Sequence, residues 1–182
     1  MVVLIAYTSA HGSTKAIARR IGERLEDYDL KTEVLAADDV GSLESYQAFV
    51  IGSAIHNSKW LSPAAHLVRD HARTLKAKPT WLFSVSSLGD TSSFFGPRMS
   101  GLMRRARGPS YKPVTELISV CSASGHRNFA GVIERDHWGA VGNLFLRAVG
   151  GLFGDHRDWA DIDAWANQIG DVLRREAVPP RP

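Results

Sequence analysis

Two hydrophobic periods alternate along the chain. Apolar runs of strand length fall at Val2–Tyr7, Lys31–Ala37, Ala48–Ser53, Thr80–Ser86 and Phe129–Glu134. Between them apolar residues recur every three or four positions, the helical period. Ile17, Ala18, Ile21 and Leu25 mark a first helix. Ala64, Leu67, Val68, His71 and Leu75 mark another, opened by Ser62-Pro63, a good cap and first-turn pair. Val114, Leu117, Ile118 and Cys121 predict a helix over Val114–Ser122, although Val and Ile there also suit a strand. Ile162, Trp165, Ala166, Ile169, Val172 and Leu173 mark the last helix. Strands that alternate with helices predict an α/β fold with a parallel sheet covered on both faces. The expectation is one domain over residues 1–176 and a frayed tail over 177–182.

Composition changes little in this picture. The chain has 182 residues, enough for one proper core, with 44% hydrophobic and 23% charged residues. Its single cysteine, Cys121, excludes an intrachain disulfide and suits a reducing cytosol. Met-Val-Val-Leu-Ile at the start reads as a strand rather than a leader. No apolar run reaches the ~18 residues a spanning helix needs. A net charge of +3 is too weak to argue for nucleic acid.

The chemistry concentrates where the first strand ends. Thr8, Ser9, Ala10, His11, Gly12, Ser13 and Thr14 form a run of hydroxyls and one glycine, and a helical pattern follows at once. Backbone N–H groups at a helix N-terminus, with hydroxyl donors beside them, make a phosphate site. No Asp or Glu precedes Glu23, yet Lys15, Arg19 and Arg20 lie early in the helix, where the dipole disfavours cations. A bound anion would remove that conflict; an ordinary turn capped by Ser and Thr is the plainer alternative. The chain lacks Gly-x-Gly-x-x-Gly and Gly-x-x-x-x-Gly-Lys-Ser/Thr, so the dinucleotide and triphosphate loops are excluded. It also lacks a loop cysteine for phosphatase chemistry and carboxylates for a receiver domain. A hydroxyl-rich loop for a monophosphate remains.

Ligands of doubly wound sheets sit beyond the carboxyl ends of the strands. Two further strand ends therefore matter. One carries Ala54, Ile55, His56 and Asn57, followed by Trp60; the other carries Ser86, Ser87, Leu88, Gly89 and Asp90. Together with Thr8–Thr14 these are the candidate cofactor-binding residues. His66, His126 and His137 lack ligand spacing with carboxylates or cysteines, so no metal is expected. His71, Cys121 and Trp165 read as core residues, and Asp158 or Asp161 as a cap of the last helix.

The loop Thr8–Thr14 resembles the flavodoxin phosphate loop in its hydroxyls, its glycine and its final threonine. Over almost the whole chain the sequence is similar to one branch of that family, the bacterial menaquinone-dependent protoporphyrinogen oxidases. The segments that carry this likeness are Val50–Ile55, Phe129–Ile133, Gly150-Gly151 and Gly154–Arg157, with a long insert over Arg135–Asp158. The resemblance implies a flavodoxin-like doubly wound five-stranded parallel sheet of order 2-1-3-4-5, with an insert before the last helix. It implies non-covalent FMN, a deazaflavin being the alternative, with backbone N–H groups of Ser86–Asp90 near the ring's N1 and His56 or Trp60 against the ring. It also implies a small-molecule substrate and a quinone-type acceptor. Catalytic residues are not identified.

Two departures colour that reading. The stretch 91–112 holds Arg98, Arg104, Arg105, Arg107 and Lys112 and no acid. It reads either as a solvated helix face or as a cationic rim for an anionic partner. In the insert, Trp138, Val141, Phe145, Ala148, Val149 and Leu152 share a helical face. Core packing, a homodimer contact and peripheral contact of residues 138–153 with a membrane are the three readings. The expected location is cytoplasmic, with the inner membrane face as the peripheral variant. An electron-carrier flavodoxin, a deazaflavin enzyme and a cofactor-free interaction protein are the rival functions.

Overall fold

The computed structural model describes residues 1–107, 112–134 and 151–177. Five parallel strands form the main sheet: β1 (Val2–Thr8), β2 (Lys31–Ala36), β3 (Ala48–His56), β5 (Thr80–Ser86) and β6 (Gly125–Ala130), in the order β2-β1-β3-β5-β6. A short arm, β4 (Lys59–Trp60), folds back antiparallel on β3. Without that arm the order is the expected 2-1-3-4-5. The hairpin turn holds Asn57 at φ 46° and Ser58 at φ 65°, the paired left-handed residues of a tight two-residue turn.

Side-chain alternation sorts the strands into two cores. Val3 and Ile5 of β1 face α1 (Ser13–Glu26) and the C-terminal helix, where Ile17, Ile21, Trp165 and Ile169 meet them. Leu4 and Phe49 face the opposite layer of α2 (Ser62–Asp70), α3 (Ala72–Lys76) and α5 (Lys112–Cys121), through Val68, Leu75, Leu117 and Cys121. Helix α4 (Pro97–Arg107) follows β5, and α6 (Trp159–Ala177) closes the described chain. Each fully buried Leu, Ile or Phe contributes roughly 1.5–3 kcal/mol. Phe83, Phe129 and Trp165 form a mutual cluster with ring centroids 5.7–6.2 Å apart. Gly52 lies beneath it: a Cβ there would meet Phe83 Cζ at 2.0 Å.

Three expectations need correction. The last strand spans Gly125–Ala130, not Phe129–Glu134. Its first half is polar because β6 is an edge strand whose side chains find specific partners, His126 on Ser84 Oγ and Arg127 on Asp161. Val132–Ile133 leaves the sheet as β7 and pairs with β8 (Gly154–Asp155). The helix predicted through Ala64 and Leu75 breaks at His71 (φ −107°, ψ 19°), and His71 is half-buried at the junction rather than in the core. The break is invisible in the pattern because Leu67, Val68 and Leu75 stay in helical register across it.

Cys121 and Trp165 are buried as expected, and burial pushes the Cys121 thiol pKa up. The residues of the predicted insert face from Trp138 to Val149, and the tail from Val178 onward, lie outside the described residues. Among the described residues no helix is long and apolar enough to cross a membrane.

Candidate functional site

The parallel sheet delivers β1, β3 and β5 to one edge, where their following loops surround a cavity of about 580 Å³. Loop one supplies Ser9, Ala10, His11, Ser13 and Thr14; the end of β3 supplies Ala54, Ile55, His56 and Asn57; the end of β5 supplies Val85, Ser86 and Ser87. Phe94 and the stretch Gly131–Ile133 complete the wall.

Loop one is bent by its own residues. Gly12 takes φ +87°, a left-handed conformation that glycine adopts without strain. Its N–H donates to Ser9 Oγ at 2.9 Å, so the hydroxyl folds the loop back before α1 begins. The first helical bond runs from Ala16 N–H to the Gly12 carbonyl at 3.0 Å. The N–H groups of Ser13, Thr14 and Lys15 precede that ladder, as at every helix start. No side chain caps this helix and no acid lies in its first turn. Ser13 Oγ accepts from Val132 N–H at 3.0 Å, which ties the Gly131–Ile133 wall to the helix tip. Thr14 is 1% exposed, and its Oγ1, like Thr8 Oγ1, has no hydrogen-bond partner among the described residues. A buried, unpaired hydroxyl costs about 1–3 kcal/mol. The Thr14 hydroxyl, on the cavity wall at an uncapped helix N-terminus, fits a phosphate monoester, which accepts from hydroxyl and amide donors alike.

Loop two has the opposite character. Leu88 N–H donates to Ser86 Oγ at 3.1 Å, Gly89 N–H to the Ser92 carbonyl at 3.0 Å, and Asp90 N–H to the Asn128 carbonyl at 2.9 Å. Those three donors, expected to serve a ring, are engaged within the protein. Asp90 also accepts from Asn128 N–H at 2.9 Å. Ser86 and Ser87 line the cavity; Leu88, Gly89 and Asp90 do not, and neither do Thr8 and Gly12. Arg104 donates to the Gly89 carbonyl (2.9 Å) and the Ser92 carbonyl (3.0 Å), so this member of the basic stretch clamps the loop. Arg98 and Arg105 are exposed.

Trp60 does not reach the cavity. The β3–β4 hairpin turns it onto the sheet, 6% exposed, with Nε1 donating to Ser84 Oγ at 2.8 Å. His56 stays on the cavity wall, exposed. Asp155 and Arg157 pair with each other, Arg157 Nε to Asp155 Oδ1 at 2.8 Å, which holds the carboxyl below its ordinary pKa. Neither lines the cavity. Asp158 accepts from Asp161 N–H at 3.1 Å and is the cap of α6, while Asp161 takes Arg127. Among the described residues, no three His, Cys, Asp or Glu side chains gather as metal ligands.

Sequence reasoning missed Val85, Phe94 and Gly131–Ile133 as wall residues. Gly131 offered one signal, since a Cβ there would meet Val85 Cγ1 at 3.1 Å and Ser13 at 3.3 Å. A side chain there would have to push Val85 or Ser13 aside by a few tenths of an ångström, so glycine eases the close crossing of the helix tip.

Comparison with known proteins agrees with this architecture. A model of the flavodoxin domain matches residues 4–99, more than half of the chain. The chain belongs to the flavodoxin-domain family. A flavodoxin from the domain Archaea superposes with a TM-score of 0.62 at 15% identity, over 96% of this chain and 99% of that one. Flavodoxin 1 from Bacillus cereus gives 0.58 at 12% identity, over 94% and 98% of the two chains. The rubredoxin oxygen:oxidoreductase of Desulfovibrio gigas gives 0.64 at 15% identity over 98% of this chain, which spans only 37% of that protein's length. No curated protein sequence matches the chain.

Proposed function

We propose that the cavity binds FMN without a covalent link and that the protein is a flavin-dependent oxidoreductase. One observation carries the reading: the buried, unpartnered hydroxyl of Thr14 on the cavity wall at the uncapped N-terminus of α1. Thr14 and the first amides of α1 would hold the phosphate. Ala54–Asn57, Ser86 and Ser87 would flank the ring, with Phe94 and Ile133 as apolar wall that excludes water. Bound FMN supplies the electron transfer; the chain supplies position and electrostatics.

The substrate proposed is a porphyrinogen, dehydrogenated with a menaquinone-type acceptor, as in the group the sequence resembles. In support, the stretch 91–112 carries five cations and no anion, and α4 exposes Arg98 and Arg105 just beyond the wall residue Phe94. Propionate side chains match such a rim. A pure shuttle that docks on basic reductases would present acidic residues there. Peripheral contact of residues 138–153 with the inner membrane face belongs to the same proposal.

The test is direct. Apo protein titrated with FMN should bind it with a stoichiometry of one, and failure at millimolar FMN ends the reading. Loaded protein should then oxidise protoporphyrinogen with a menaquinone analogue. No turnover, with ready electron exchange with a flavodoxin reductase, makes it a carrier. Turnover only with reduced deazaflavin makes the deazaflavin the working cofactor.

A further inference from the structure

A second groove, of about 810 Å³, starts at Gly12 on the far side of the α1 tip. It is lined along α1 by Lys15, Ala16, Arg19, Arg20 and Glu23 and on the other side by Trp159 at the start of α6. The two cavities thus meet at the phosphate loop: His11 and Ser13 line one and Gly12 the other.

Its charges are not equivalent. Arg20 is spent on Asp163, with Nε to Oδ1 and Nη2 to Oδ2 both at 2.7 Å. Lys15 and Arg19 are exposed and have no ion pair among the described residues. They stand one turn apart at the positive end of a helix dipole. Two like charges at i and i+4 repel, and the dipole opposes both. A phosphate at the helix tip meets the amides; it leaves this pair of cations without a partner in the groove beside it. Trp159 is 36% exposed, with the Arg157 guanidinium 4.5 Å from its ring centroid. An open groove of this volume that sets these two cations and an aromatic ring beside one another, with the Glu23 carboxylate also in its lining, has the elements that recognise a small anionic molecule with a flat group.

We infer that this groove takes the extension of a flavin-type cofactor whose 5′-phosphate is esterified to a further anionic group. The inference rests on the assignment of the 5′-phosphate to loop one. The phosphodiester would turn at Gly12, the second anion would lie on Lys15 and Arg19, and the terminal group would lie against Trp159. Two sources share this chemistry: FAD, with its second phosphate and adenine, and a deazaflavin with a carboxylate-bearing tail.

The experiment measures Kd for FMN, FAD and the tailed deazaflavin on the full chain freed of flavin, and reads the ratio of each longer ligand to FMN. At least one longer ligand should bind about tenfold or more tighter than FMN, equivalent to about 1.4 kcal/mol. Lys15→Gln with Arg19→Gln should bring that ratio close to one, and taking the ratio cancels any general loss of phosphate affinity. Trp159→Ala should lower the ratio of whichever longer ligand binds tighter, since its terminal group lies against that ring, and an unchanged ratio overturns that placement. If FMN binds and both longer ligands bind no tighter, the inference falls and the FMN reading stands. If no flavin binds, both fall. An unchanged ratio in the double variant, with far-ultraviolet dichroism showing a folded protein, also overturns the inference.

Discussion

Loop one follows β1 and loop two follows β5, the two strands that flank β3 in the sheet, and both are rich in Ser, Thr and Gly with one charged or ionisable residue. Their hydrogen-bond states are opposite. Loop two satisfies itself: its amides find Ser86, Ser92 and Asn128, and its carbonyls find Arg104. Loop one leaves Thr8 Oγ1 and Thr14 Oγ1 buried without partners beside an uncapped helix. Composition marks both as phosphate or ring loops. Only the accounting of donors and acceptors separates a segment with unmet hydroxyls from one that satisfies itself.

The largest effect that would break this contrast lies at Gly89. A Cβ there would stand 2.5 Å from Ala130 N and 2.9 Å from Phe129 C, both backbone atoms that have no room to yield. Gly89→Ala should cost about 3 kcal/mol of folding stability, the upper range for overpacking. Gly12→Ala, by contrast, meets open space and pays only for its positive φ, about 1 kcal/mol. Urea denaturation of the two variants measures the difference. Equal losses would mean that loop two is no more tightly built than loop one.

Arg104 is the next test. Replacing it with Gln removes charge-assisted bonds to two carbonyls, and each such bond contributes about 1.5–3 kcal/mol where its partners are shielded. The clamp is part-buried, so the expected loss is about 2 kcal/mol. A loss of porphyrinogen turnover with stability unchanged would instead return Arg104 to the cationic rim.

Thr14→Val takes the comparison to loop one. The substitution keeps the shape and removes a hydroxyl that is buried and unpaired in the apo protein. Stability should hold or rise by up to about 1 kcal/mol, because the desolvation cost goes with the hydroxyl. FMN affinity should fall about tenfold through the lost phosphate bond. Isothermal titration alongside urea denaturation separates the two. A variant that is destabilised and binds FMN normally would mark the hydroxyl as structural.

The sheet was largely legible because central parallel strands are buried on both faces and read as continuous apolar runs, as Val2–Tyr7 and Ala48–Ser53 do. The turn of loop one into α1 was legible because its signal is local: hydroxyls, a glycine and an acid-free first turn adjoin in sequence. The start of β6 was not, since the partners that make Gly125–Asn128 a strand lie on β5 and α6. Trp60 looked like a ring neighbour from its place after His56, but a two-residue turn reverses the chain and delivers it to the core. The internal bonding of loop two was hidden for the same reason. Asp90 and Asn128 are 38 positions apart, and no local pattern announces their pairing.

The smallest effect concerns how α1, and with it loop one, is held to the rest of the site. Arg20 and Asp163 join α1 to α6 by two bonds of 2.7 Å. The hydrogen bond from Arg20, against the opposing effect of burial, lowers the Asp163 pKa below its ordinary 3.8. The sign follows from linkage: a carboxylate with a folded pKa below its unfolded one contributes stability that is fully present above the unfolded value. That contribution disappears as pH falls through the folded value. Asp163→Asn should therefore destabilise the protein modestly at pH 7, and the gap to the parent should close as the pH falls from neutrality to below 3.8. Thr14→Val changes no titrating group, so its offset in stability should be the same at both ends of that range. Measured side by side, the two variants separate a charged tether of the helix from the neutral donors at its tip. A gap for Asp163→Asn that is equally wide in acid and at neutrality would show that the pair contributes by packing rather than by charge.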